Sequence, residues 1–159
     1  MRACQLFLLF VAAVTVLGGD AAASQYPLDQ ATRIIPRVEG HKLQKAGIQT
    51  TLDLFVEGHT AEGRRVLAAR SGLPIEKIAS WVALADLMRV RGIGPDVARL
   101  LTAVGVRTLA ELQQADAAAT GAAIHVYNRK THLSTNPPGA ASIAFWIGEA
   151  QHLPVVLEL

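Results

Sequence analysis

A stretch that occurs twice constrains this chain more than any other feature. Ala46-Gly47-Ile48-Gln49-Thr50-Thr51-Leu52-Asp53-Leu54 recurs 58 positions later as Val104-Gly105-Val106-Arg107-Thr108-Leu109-Ala110-Glu111-Leu112. Each copy reads as a helix end, a glycine able to take positive φ, a β-branched residue aimed at the core, and a threonine that starts the next helix. An acid three residues after each threonine makes Thr108…Glu111 a capping box and Thr50…Asp53 its weaker relative. Two copies in register describe a duplicated helical unit. The predicted repeats span about 33–91 and 92–153.

The rest of the pattern agrees. Half the residues are apolar (51%), only 5% are aromatic, and alanine and leucine are abundant. That balance favours packed helices over sheet. Thr60 is placed to cap a helix over Ala61 to Arg70, ended by Ser71-Gly72, and Pro74 opens a longer helix running to about Arg91. In it Ile75, Ile78, Val82 and Ala85 fall at helical spacing, with Trp81 and Leu84 beside them and Trp81 as a core residue rather than a ligand platform. Ala115 to Lys130 is an alanine-rich helix with Ile124 and Tyr127 on one face and Gly121, a weak helix former, in its middle. His132 to Gly139 is a loop, and a last helix covers about Ala140 to His152 before Pro154 and a short apolar tail. The fold class predicted is all-α, with about eight helices in two halves.

The first two dozen residues are of another kind. Arg2 precedes an apolar run from Leu6 to Leu17, and Ala21-Ala22-Ala23 supplies small residues. This matches a secretory signal peptide over residues 1–23, with an exported, periplasmic or extracellular domain over 24–159. The alternative is an uncleaved anchor, although the apolar run is shorter than the ~20 residues that span a bilayer. Cys4 is the sole cysteine. The expected mature chain therefore has no disulfide, thiol nucleophile, thiolate metal site or membrane span.

The chemistry of the chain concentrates at Arg89-Val90-Arg91-Gly92-Ile93-Gly94-Pro95. The two glycines leave backbone N–H groups uncovered, Ile93 points inward, and Pro95 starts a helix whose N-terminus is electropositive. A phosphate oxygen fits there without any base being read. Arg89, Arg91, Arg99 and Arg107 would add a basic patch if they share a surface. The same turn also serves to cross two helices with no ligand. In the register-equivalent stretch of the first copy, Ile34 and Pro36 replace the glycines, so that half loses the phosphate cradle. Arg33, Arg37, Lys42 and Lys45 lie nearby, either as partial compensation or as a solvated face. A net charge of +2 excludes a strongly cationic nucleic-acid coat but allows a local basic face.

The runs Gly58-His59-Thr60-Ala61-Glu62-Gly63-Arg64-Arg65 and Trp81-Val82-Ala83-Leu84-Ala85-Asp86-Leu87-Met88-Arg89, continuing through Gly92-Ile93-Gly94-Pro95, resemble a bacterial family of paired helix–hairpin–helix modules. It is catalogued as domain of unknown function 4332. The resemblance covers nearly the whole chain after residue 23, including the Trp146-Ile147 helix. It implies two hairpins related by an approximate twofold, with additional packing helices, and no established activity. By wider analogy it implies DNA-backbone binding through Gly92, Ile93 and Gly94.

No enzymatic constellation emerges. His41, His59, His125, His132 and His152 lack metal-ligand spacing, no serine sits in a nucleophile elbow, and no phosphate loop is followed by lysine. Asp86 is expected to cap a helix or pair with Arg89, one turn away. The reading is of an exported, non-enzymatic binding module without cofactor or metal. Its partner is DNA or another polyanion at Gly92–Gly94, Arg89, Arg91, Arg99 and Arg107, or else another protein, with the hairpins purely structural.

Overall fold

A computed structural model describes residues 25–31 and 33–158. The expected signal peptide lies outside the described residues. Eight α-helices follow one another among the described residues: α1 (Arg37–Lys45), α2 (Thr51–Gly58), α3 (Ala61–Ser71), α4 (Ile75–Leu87), α5 (Pro95–Ala103), α6 (Leu109–Gln113), α7 (Ala117–Thr131) and α8 (Ala140–Gln151). Among the described residues the only extended pairing is an isolated bridge between Pro27 and Thr50. The chain is all-α, as its composition and periodicity predict.

The helix ends follow from the sequence. Gly47 and Gly105 take φ of +94° and +99°. Gly47 donates its N–H to the Gln44 carbonyl and Ile48 donates to Leu43, and the same two bonds run from Gly105 to Thr102 and from Val106 to Leu101. Each helix thus closes in a Schellman arrangement, and the residue after the glycine, Ile48 or Val106, drops into the core. Thr50 and Thr108 both complete full capping boxes, with Asp53 and Glu111 reaching back to the cap N–H. The Thr50 box is as complete as the other, because an aspartate one methylene shorter still reaches the Thr50 N–H at 2.8 Å.

α4 is the hub, packing against α2, α3, α5 and α6. Of the predicted stripe Ile78, Trp81, Val82 and Ala85 are buried, whereas Ile75 and Leu84 are half-buried. The helix stops at Leu87 rather than running to Arg91. Arg89 and Val90 donate their N–H groups three residues back, to Asp86 and Leu87, which tightens the last turn and swings the chain towards Gly92.

α7 and α8 pack against each other, and residues 132–139 return the chain from the end of α7 to its first half. Gly121 does not interrupt α7; a Cβ there would lie 2.8 Å from the Ala140 backbone nitrogen, so the absent side chain is what admits the start of α8. Asn128 clamps the loop by exchanging two hydrogen bonds with the Ser134 backbone, at 2.8 and 2.9 Å. Ile143, Trp146 and Ala150 then carry the buried stripe of α8. No helix of the described residues is long and apolar enough to cross a membrane.

Residues 154–158 run back across the molecule. Glu158 donates its N–H to the His59 carbonyl at 2.9 Å, and its carboxylate accepts the Ala61 N–H at 2.7 Å. That carboxylate sits at the start of α3, where the helix dipole favours negative charge.

Candidate nucleic-acid interface

The turn between α4 and α5 is built around Ile93, which is fully buried and donates its N–H to the Val90 carbonyl at 3.1 Å. Gly92 is exposed and takes φ of +89°, a conformation that side chains of L-residues rarely adopt. A Cβ at Gly92 would lie 3.0 Å from the Trp146 indole nitrogen, and one at Gly94 would lie 2.9 Å from the Tyr26 hydroxyl. Both glycines therefore admit aromatic side chains from distant parts of the chain. Gly94 is also the N-cap of α5, with no side chain satisfying the first turn and Pro95 in its expected place.

The four arginines divide. Arg89 is internal: it is 9% exposed, its guanidinium donates to Asp86 at 2.7 Å and to the Pro154 carbonyl at 3.0 Å, and it stacks 4.5 Å from the centre of the Phe55 ring. Asp86, itself 1% exposed, accepts the Leu109 N–H at 2.9 Å as well. The expected Asp86–Arg89 pair is present, and the same carboxylate caps α6. Arg91 is exposed, yet its Nε donates to Glu149 on α8 at 3.1 Å and its guanidinium lies 5.6 Å from the Phe145 ring centre.

Arg99 and Arg107 form no ion pair among the described residues. Arg107 follows the far end of α5. At 1.5 Å of rise per residue, the nine residues of that helix put it roughly 13 Å along the axis from Gly94. The structure therefore does not gather the four around the turn. Arg89 faces inward, Arg107 belongs to the opposite end of α5, Arg99 lies at the middle of that helix, and only Arg91 adjoins the glycines.

Two acids take part that the basic pattern did not include. Asp96, in the first turn of α5, accepts from Arg33 at 2.8 Å, and its other oxygen is buried without a partner. A carboxylate there lies where an incoming phosphate would draw on the helix dipole, and it opposes one. Glu149 does the same for Arg91. Asp96 was readable as an acid directly after Pro95. Glu149, Trp146 and Tyr26 are brought in by tertiary packing and carry no local signal.

Among the described residues no group of three or more histidine, cysteine or acidic side chains is placed to hold a metal ion. No curated protein and no solved structure matches the chain. The family described as Domain of unknown function (DUF4332) matches residues 33–153, a span that contains all eight helices and the whole α4–α5 turn. The chain belongs to that family.

Proposed function

We propose that this chain is an exported, non-enzymatic binding module made of two related helix–hairpin–helix units, about 33–91 and 92–153, whose partner is another protein. In this reading the Gly92–Gly94 turn is a joint between helices and not a phosphate cradle. The observation that carries it is the engagement of the turn's own cations. Arg89 is committed to Asp86, Pro154 and Phe55, and Arg91 to Glu149. A phosphate at the turn would have to displace Glu149 from Arg91 and approach the Asp96 carboxylate, both unfavourable at short range.

The second reading, DNA-backbone binding at the turn, draws on the exposure of Gly92 and on Arg99, which has no ion pair among the described residues. Binding of duplex and single-stranded DNA as a function of salt separates the two. Each phosphate-contacting arginine that is removed lowers the salt slope by about one unit. The protein-binding reading expects Arg91→Ala and Arg99→Ala to leave affinity and slope unchanged. A drop of about one unit for either variant overturns it. Export rests on residues 1–23 and is tested by N-terminal sequencing of the protein recovered outside the cytoplasm. A chain that stays inside with Met1 intact refutes it.

A further inference from the structure

We infer that the exposed face of α1 docks an acidic protein segment that inserts one apolar side chain beside Arg37. The inference rests on the protein-binding reading above and names the surface and the chemistry of the partner.

α1 buries Gly40 and Leu43 and turns Arg37, Val38, His41, Lys42 and Lys45 to solvent. Its single acid, Glu39, is held at 2.9 Å by Lys77 from α4, so it does not neutralise that face. Arg37, Lys42 and Lys45 make no ion pair among the described residues. Residues 37, 41 and 44 form one stripe and 38, 42 and 45 the next, which sets Lys42 and Lys45 about one helical turn apart on one stripe and Arg37 on its neighbour. An acidic segment with carboxylates at the same spacing is the complementary surface.

The apolar part of the surface selects a peptide over a phosphodiester chain. Val38 is 70% exposed in the middle of the basic face, where it adds nothing to phosphate recognition. On the neighbouring stripe of α1 a cavity of about 220 Å³ opens between the helix and the Leu28–Asp29 turn, lined by Leu28, Asp29, Arg37, Gly40, His41 and Gln44. That is below the size of a small-molecule pocket and suits a single side chain. Its floor is Leu28 and the bare backbone of Gly40, and a Cβ at Gly40 would meet only ordinary contacts at 3.8 Å. The exposed Asp29 carboxylate on the rim accepts hydrogen bonds. A peptide supplies backbone N–H groups, whereas a phosphodiester backbone has none.

The test is fluorescence anisotropy at low salt with three labelled probes: a peptide of repeated Glu-Glu-Leu, a poly-glutamate peptide of equal charge, and duplex DNA. The Glu-Glu-Leu peptide is expected to bind most tightly. The double reversal Lys42→Glu/Lys45→Glu should weaken it by about tenfold or more. Gly40→Ala should erase its advantage over poly-glutamate by shallowing the cavity, with circular dichroism checking that each variant folds. Arg91→Ala/Arg99→Ala should leave it unchanged. No binding of any probe, or binding indifferent to the α1 changes, overturns the inference. DNA bound more tightly than the peptide and lost on reversal of α1 also overturns it, while the turn remains a joint. Binding lost instead with Arg91 and Arg99 brings down both this inference and the reading of the turn.

Discussion

Removing the Asp86 carboxylate should be among the most damaging single changes in this protein. Asp86 is 1% exposed and serves two groups at once, the Arg89 guanidinium at 2.7 Å and the Leu109 N–H at 2.9 Å. Asp86→Ala leaves a guanidinium largely shielded from water with no counter-charge. Breaking a buried pair from one side typically costs 3–5 kcal/mol, and the Pro154 carbonyl and Phe55 ring that remain around Arg89 place this case near the lower end, about 3 kcal/mol. The orphaned Leu109 N–H at the start of α6 adds about 1 kcal/mol. A total of about 4 kcal/mol is a large part of the 5–15 kcal/mol that holds a domain together, and at this size corresponds to a melting temperature lower by roughly 8–16 °C.

Urea unfolding followed by the fluorescence of the buried Trp81 and Trp146 measures the loss. The double variant Asp86→Asn/Arg89→Met supplies the check, since neutralising both partners of a buried pair is often close to neutral. It should be more stable than the sum of its single variants by about 2–3 kcal/mol. A single Asp86→Ala loss below about 1 kcal/mol, or strict additivity in the cycle, would refute the view that Asp86 is held by charge and not merely by shape.

Three further outcomes are expected. Gly92→Ala and Gly105→Ala share the backbone strain of positive φ, about 1–2 kcal/mol, but only Gly92 faces Trp146 at 3.0 Å. Chemical denaturation should therefore find Gly92→Ala the worse of the two. Gly148→Ala, which meets nothing within 4 Å on α8, should stabilise by about 0.5–1 kcal/mol, whereas Gly121→Ala must push the Ala140 backbone away and should destabilise by about 1–3 kcal/mol. The hydrogen bond from Lys77 holds the Glu39 carboxyl below the ordinary carboxylate range. The stability this contributes is present above the unfolded-state pKa and is lost as pH falls through the folded-state value. Lys77→Met should return Glu39 towards its ordinary titration in an NMR pH series and remove that pH dependence.

The helices were legible because their ends are written in local chemistry. Thr50, Thr60, Thr108, Gly47, Gly72 and Gly105 each sit within a few residues of the groups they satisfy. The site was legible only in part. Ile93 is buried and Gly92 takes positive φ as the turn pattern predicts, whereas Gly94 is extended and packed against Tyr26. The direction of an arginine is settled by what lies on the far side of the core. Arg89 turns inward because Phe55 and Pro154, distant in sequence, close around it once Asp86 has neutralised it. The hint was an aspartate inside the apolar run Trp81 to Val90, a position where a carboxylate must find a cation. Arg91 carried no such hint, since Glu149 belongs to a helix 58 residues away. The overrun of α4 has a similar cause: Met88 and Val90 are apolar and helix-compatible, yet packing draws both into the turn, 1% and 0% exposed.

The return of residues 154–158 onto the start of α3 couples segments 97 positions apart through one carboxylate and one amide. When that strap lifts, the Ala61 amide loses its acceptor and the Arg89 guanidinium loses the Pro154 carbonyl in the same event. In hydrogen exchange the amides of Ala61 and Glu158 should therefore share one opening free energy, and the same opening should let water reach the interior charge.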